Sequence, residues 1–226
     1  MAAVALVLGG TVVLLIWKGG KETEPPVERD PVILRVADLE VRQSEIATYE
    51  GYVKKLDPTI GEMTRKRAIL DVYLLPLKLA QRDFPKERAK QRKSAEALAK
   101  VLGGSAGYDE LVSQSKRFPG ARLQQGVVCR MMSLPEARWA FADEHVGRAS
   151  PILETPRGYS ILATLDKRPG PTMHYDSIDV WVAPFHTHDN HPAYLDWLAK
   201  SKASLAGQLT FIHDDYREAL PHWLHQ

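Results

Sequence analysis

ASPILETPRGYSILATLDKR, residues 149–168, is the stretch that decides how the rest of the chain is placed. Two apolar runs, Pro151–Leu153 and Tyr159–Leu165, flank Thr155-Pro156-Arg157-Gly158. Proline presets one backbone angle and glycine permits positive φ, so the spacing predicts a hairpin closed at that point. Such a hairpin needs apolar cover. A helix is predicted over Leu134–His145, where Ala137, Ala140 and Phe141 recur near helical spacing after a Ser133-Leu134-Pro135-Glu136 start, with Trp139 opposite them.

The chain has 226 residues, 44% hydrophobic and 26% charged, enough for one sizeable core or two small ones. Its formal charge of +2 argues against a nucleic-acid partner held by electrostatics alone. The single cysteine, Cys129, follows Val127 and Val128 and reads as a small buried residue, with no partner for an internal disulfide.

Ala2 to Trp17 is an uncharged apolar run, followed by Lys18 and Lys21. As a helix it would rise roughly 24 Å, slightly short of a ~30 Å hydrocarbon core, so residues 1–18 are read as a transmembrane anchor, with a cleaved signal peptide as the alternative. The lysines after the run are a weak vote for a cytoplasmic domain. Residues 19–30, with Pro25-Pro26, read as a stiff linker.

Beyond the linker, Pro31–Val36 alternates as a strand, Ala37-Asp38 offers a turn, and Ser44-Glu45 opens a helix through Lys55. A second helical stretch from about Thr59 carries Met63, Ile69, Leu70, Tyr73, Leu74, Leu77 and Leu79, and Pro76 is expected to kink or end it. Pro85 starts a charged helix, Lys86 to Leu102, stopped by Gly103-Gly104. Its Lys86, Arg88, Lys90, Arg92 and Lys93 read as a solvated face.

The order of helix, short strand, Thr-x-x-Gly-Tyr turn and strand resembles the C-terminal half of the parvulin (rotamase) peptidyl-prolyl isomerases. Upstream, Tyr108-Asp109-Glu110-Leu111-Val112-Ser113-Gln114-Ser115 looks like that family's helix, and Gly120–Met132 stands where its glycine-rich second strand would be. Val32-Ile33-Leu34-Arg35-Val36 followed by Val41, Ser44, Glu45 and Ile46 resembles the start of the helical module of SurA-type periplasmic chaperones, with Ala37-Asp38 where asparagine-glycine is common. These resemblances imply an α+β fold: an N-terminal membrane helix, a SurA-like helical module over 31–102, a parvulin-like antiparallel sheet packed by helices over 103–185, and a C-terminal helical tail over 186–226.

The parvulin resemblance implies paired histidines on central strands beside a leucine, methionine and phenylalanine pocket for the proline ring. It places Leu123, Met131 or Met132, Phe141 and Tyr159 at a substrate pocket and Thr155 and Ser160 at the catalytic positions. Ser160 stands where many members have histidine, in Gly158-Tyr159-Ser160-Ile161. The family's first strand is missing before the charged helix. Either Val72–Leu77 or Ile178–Phe185 replaces it, the second giving a sheet completed from the C-terminal side, like a circularly permuted parvulin.

His186, His188 and His191 follow that second run closely enough to suggest a metal site, with His213, Asp214 and Asp215 as further ligands; a polar loop is the competing reading. A last helix is expected over Pro192–Ala206, and Trp181, Trp197 and Trp223 are read either as a partner surface or as internal packing. The expectation is a single-pass protein of the inner membrane, facing the periplasm, that binds unfolded or proline-containing polypeptide segments with weak or no isomerase activity. No cofactor is implied. The alternatives are a non-catalytic accessory subunit of a membrane complex and a metal-binding protein.

Overall fold

In a computed structural model of the chain, residues 30–104 and 106–225 are described. The expected anchor, and the linker up to residue 29, lie outside them. Among the described residues no helix is long and apolar enough to cross a membrane. The fold is α+β, with seven α-helices and two antiparallel sheets among those residues.

The two ends of the described part build one module together. Strand β1 (Val32–Val36) turns through Ala37-Asp38 into β2 (Leu39–Arg42), and helix α1 follows directly (Gln43–Leu56). Ala37 carries the turn with φ +50°, a left-handed conformation that a side chain disfavours. Helix α2 (Glu62–Ala68) runs through a π-helical segment, Ile69–Leu74, into α3 (Leu75–Asp83). Of the two expected outcomes, kink or end, Pro76 does not end the helix; the chain departs from regular α-geometry just before it. The amide of Leu75 reaches back five residues to the Leu70 carbonyl, and this wider turn makes room for a ring that cannot donate and would clash in a regular helix.

The C-terminal segment does not stand apart as a tail. After α7 (His191–Leu205), strand β7 (Leu209–Ile212) pairs antiparallel with β1, giving a sheet of order β2-β1-β7. Tyr216, Leu220 and Leu224 then bury against the core formed by Ile33, Ile69, Leu74 and Leu79. One hydrophobic core thus holds residues from both ends of the described chain, and the rest is inserted between them.

The inserted part begins with the helices α4 (Pro85–Leu102) and α5 (Tyr108–Ser115), followed by β3 (Arg122–Val128) and α6 (Leu134–Ala140). Helix α6 is shorter than expected, because the chain leaves α-geometry at Phe141 and forms a separate 3₁₀ turn at Asp143–His145. The hairpin then forms as its sequence predicts: β4 (Leu153–Thr155) pairs with β5 (Gly158–Arg168) around Pro156-Arg157. Gly158 is required there, since a Cβ on it would meet the Phe185 carbonyl oxygen at 2.1 Å and its φ is +138°.

Strand β6 (Ser177–His186) pairs with β5 on one side and β3 on the other, so the order is β3-β6-β5-β4. Ile178–Phe185 is therefore the run that completes this sheet. Val72–Leu77, the rival, is helical, with Tyr73–Leu77 buried in the other module and Val72 exposed. Side chains alternate across β5. Tyr159, Ile161 and Ala163 meet Ala95, Leu98 and Leu111 of α4 and α5, whereas Leu162 meets Ala137, Ala140 and Phe141 from α6.

Candidate functional site

The expected pocket does not assemble. Tyr159 belongs to the cluster packed with α4 and α5, while Phe141 and Met132 belong to the cluster on the opposite face of the sheet. Leu123 pairs with Trp181, which pairs in turn with Ala163, so it shares the face of Tyr159 but sits two rows away, 37% exposed. The period-two alternation divides these residues, so they form no common cradle.

The catalytic candidates are accounted for by the hairpin. Thr155 Oγ1 accepts from the amide of Arg157 and donates to the Gly158 carbonyl, so its hydroxyl closes the turn. Ser160 lies between Leu153 and Pro184 on neighbouring strands, buried, and its Oγ has no hydrogen-bond partner among the described residues.

At the hairpin end of the sheet the structure does assemble a cleft. Its volume is about 770 Å³, with Phe118, Pro119, Met131 and Pro184 as apolar lining and Arg122, Arg157, His186, His188 and His191 as polar lining. Of the expected pocket residues only Met131 reaches it, from the 3₁₀ turn Cys129–Met131. The other contributors are α4 through Gln91 and Ser94, the segment from Phe118 to Arg122 that leads into β3, the β4–β5 turn, the end of β6, and the start of α7, where Asn190 caps the helix by accepting from the Ala193 amide.

The three histidines share this cleft without converging on a metal. Among the described residues no group of three His, Cys, Asp or Glu side chains is placed to hold one. His188 lies edge-on to Phe84 with ring centroids 4.6 Å apart and also packs on Trp197. His191 stacks on Tyr194 instead, 6.1 Å away. His213, once a candidate further ligand, sits beside β7, and its amide donates to Ile33 in the other sheet.

His186 is the most perturbed of the three. Burial, followed by the positive charges of Arg157 and Arg122, lowers its pKa to about 4. Its Nδ1 lies 3.3 Å from an Arg157 terminal nitrogen and accepts from that guanidinium, which is consistent with a neutral ring.

Arg157, read from the sequence only as a turn position, is the cation that the structure brings into this cleft. Its carbonyl accepts from both the amide and the hydroxyl of Thr187, at 2.9 and 3.2 Å. Its guanidinium lies over the Tyr194 ring, 5.8 Å from the centroid. Its Nε is buried without a partner among the described residues. The one available signal was a cation at the centre of a two-residue turn, and that is too common to single out.

One further expectation is corrected by local contacts. Arg88 does not belong to a solvated face. It is buried and donates to the Glu154 carboxylate at 2.7 Å and to the Thr155 carbonyl at 3.1 Å. Of the two readings of the tryptophans, internal packing is the one with contacts behind it: all three are half-buried, and their indole N–H groups donate to Ser115 from Trp181, Asp83 from Trp197 and Asp71 from Trp223. Cys129 is buried as expected, and burial raises its thiol pKa.

A second cleft, of about 830 Å³, separates α1 from α6 and includes Tyr49, Tyr52, Trp139 and His145. Trp139 and His145 stack there with centroids 3.6 Å apart. Comparison of the chain with family models, with curated proteins and with solved structures gives no match.

Proposed function

We propose that this protein is a folding factor that holds extended segments of exported polypeptides, tethered to the inner membrane through its first residues with the described part in the periplasm. The observation that carries this reading is the position of β6 at the centre of the sheet, between β3 and β5. A sheet completed there, followed through the Thr155–Gly158 turn and packed by α4, α5 and α6, has the arrangement expected of a parvulin-like domain whose first strand is supplied from the C-terminal side.

Isomerase chemistry is weak or absent in this reading. Catalysis of prolyl rotation, whose barrier is about 20 kcal/mol, needs a pocket more complementary to the twisted amide than to either planar form. Here the pocket residues are divided between two faces, and the catalytic positions hold a turn-closing threonine and a buried serine. Binding needs less, and two clefts of about 770 and 830 Å³ are within the range that takes a short segment.

The test is a pair of assays on the full chain in mild detergent. Protease-coupled isomerisation of a proline tetrapeptide is expected at the background rate. Aggregation of a chemically denatured client protein is expected to be suppressed at stoichiometric concentrations. A rate well above background overturns the non-catalytic part; no suppression, with no binding of unfolded client, overturns the folding-factor reading.

A further inference from the structure

The cleft at the hairpin end holds a guanidinium that is fixed in place and, among the described residues, has no carboxylate in ion-pair contact. Arg157 is held at its carbonyl by Thr187 and at its guanidinium by the Tyr194 ring and His186, so little conformational entropy remains to be lost on binding. No carboxylate lies within ion-pair distance of it among the described residues; its one side-chain hydrogen bond there is to a neutral imidazole. The residue is half-buried and its Nε is fully so; withdrawing a cation from water without a paired counter-charge is costly, and a neutral ring nitrogen offsets only part of that cost.

The surroundings add positive charge. Arg122 lines the same cleft and, among the described residues, makes a single side-chain hydrogen bond, to the Gly120 carbonyl. The N-terminus of α7 also faces it, with the partial positive charge of a helix start. Asp189 is the only acid in the lining, and it is exposed. Glu136 acts on Arg157 only through space, and one of its oxygens, Oε2, accepts from the amide and hydroxyl of Ser133 at the start of α6. Beside the cations, Phe118, Pro119, Met131 and Pro184 offer apolar surface, and Met131 is 68% exposed.

We infer that this cleft binds a carboxylate of a polypeptide, with Arg157 as the anchoring cation and Arg122 as its second, and that an apolar side chain next to the carboxylate lies against Met131 and Pro184. The inference rests on the folding-factor reading and narrows it to clients with acidic positions among apolar ones. The carboxylate is either an aspartate or glutamate side chain or the chain terminus, since both present the same fork to a guanidinium.

Three acetylated pentapeptides separate these sources by calorimetry on the full chain in detergent. One alternates leucine with glutamate and is amidated; the second carries glutamine in place of glutamate; the third is the glutamine peptide with a free C-terminus. The amidated glutamate peptide is expected to bind about tenfold more tightly than its glutamine twin, with Arg157→Gln abolishing the difference and Arg122→Gln reducing it. A preference for the third peptide alone assigns the site to chain termini. Equal affinities for all three on the wild-type chain overturn the inference without requiring any variant to fold. If the denatured client still binds in that case, the folding-factor reading survives; if nothing binds, both fall.

Discussion

Arg88 of α4 and Glu154 of β4 meet at 2.7 Å, and the arginine side chain is almost fully buried. This contact fastens the hairpin to the helices. Glu154 also accepts from Gln81 of α3 and, at 3.4 Å, from Tyr159, while its backbone carbonyl accepts from Tyr73. Residues of the end-built module and of the inserted sheet thus share one polar network. Replacing Arg88 with methionine leaves the Glu154 carboxylate and the Thr155 carbonyl short of a donor, and a loss of about 3 kcal/mol is expected in urea unfolding.

The hairpin glycine gives a sharper contrast. Gly158→Ala forces a Cβ into the Phe185 carbonyl and should cost more than about 2 kcal/mol, because backbone rather than a flexible side chain must move. Gly126→Ala places its Cβ in open space at φ +61°, so only the left-handed conformation is penalised, by about 1 kcal/mol. Thermal melts of the two variants should rank in that order. Equal losses would show that β6 does not approach the turn this closely.

The end of the chain should matter to the stability of its beginning. Leu220→Ala removes a side chain that is 3% exposed within the core shared with Ile33 and Leu79, and a loss of about 2–4 kcal/mol is expected. Hydrogen exchange in β1 should accelerate in this variant more than exchange in β5. Uniform acceleration would indicate that the end-built module and the inserted sheet do not open separately.

His186 makes stability depend on pH. Its pKa in the folded chain, about 4, lies below the ordinary value of 6.5, so the unfolded chain binds the proton more readily. The stabilising contribution is therefore complete above about 6.5 and is lost as pH falls toward about 4. Arg157, Arg122, His188 and His191 surround the ring and oppose its protonation in the same direction. Melting temperatures of wild type and His186→Asn should converge as the pH is lowered across this window. A constant difference between them would exclude the histidine as the source.

The sequence by itself determined the local elements, because their signals are short-range. The Thr-Pro-Arg-Gly turn, the Ser133 helix start, the Pro85 start and the alternation of 178–185 each follow from a few neighbouring residues and their backbone preferences. Only the tertiary structure decided which side chains meet. Strand order placed β6 between β3 and β5, and a bulge after Gln124 set the register of β3; together they put Leu123 and Tyr159 on one face and Met132 and Phe141 on the other. Likewise β7 closed the N-terminal sheet across more than a hundred residues, and Arg88 became a buried clamp because Glu154 arrived to meet it. A period along the chain says that a residue has a face, while its partner across space decides what that face touches.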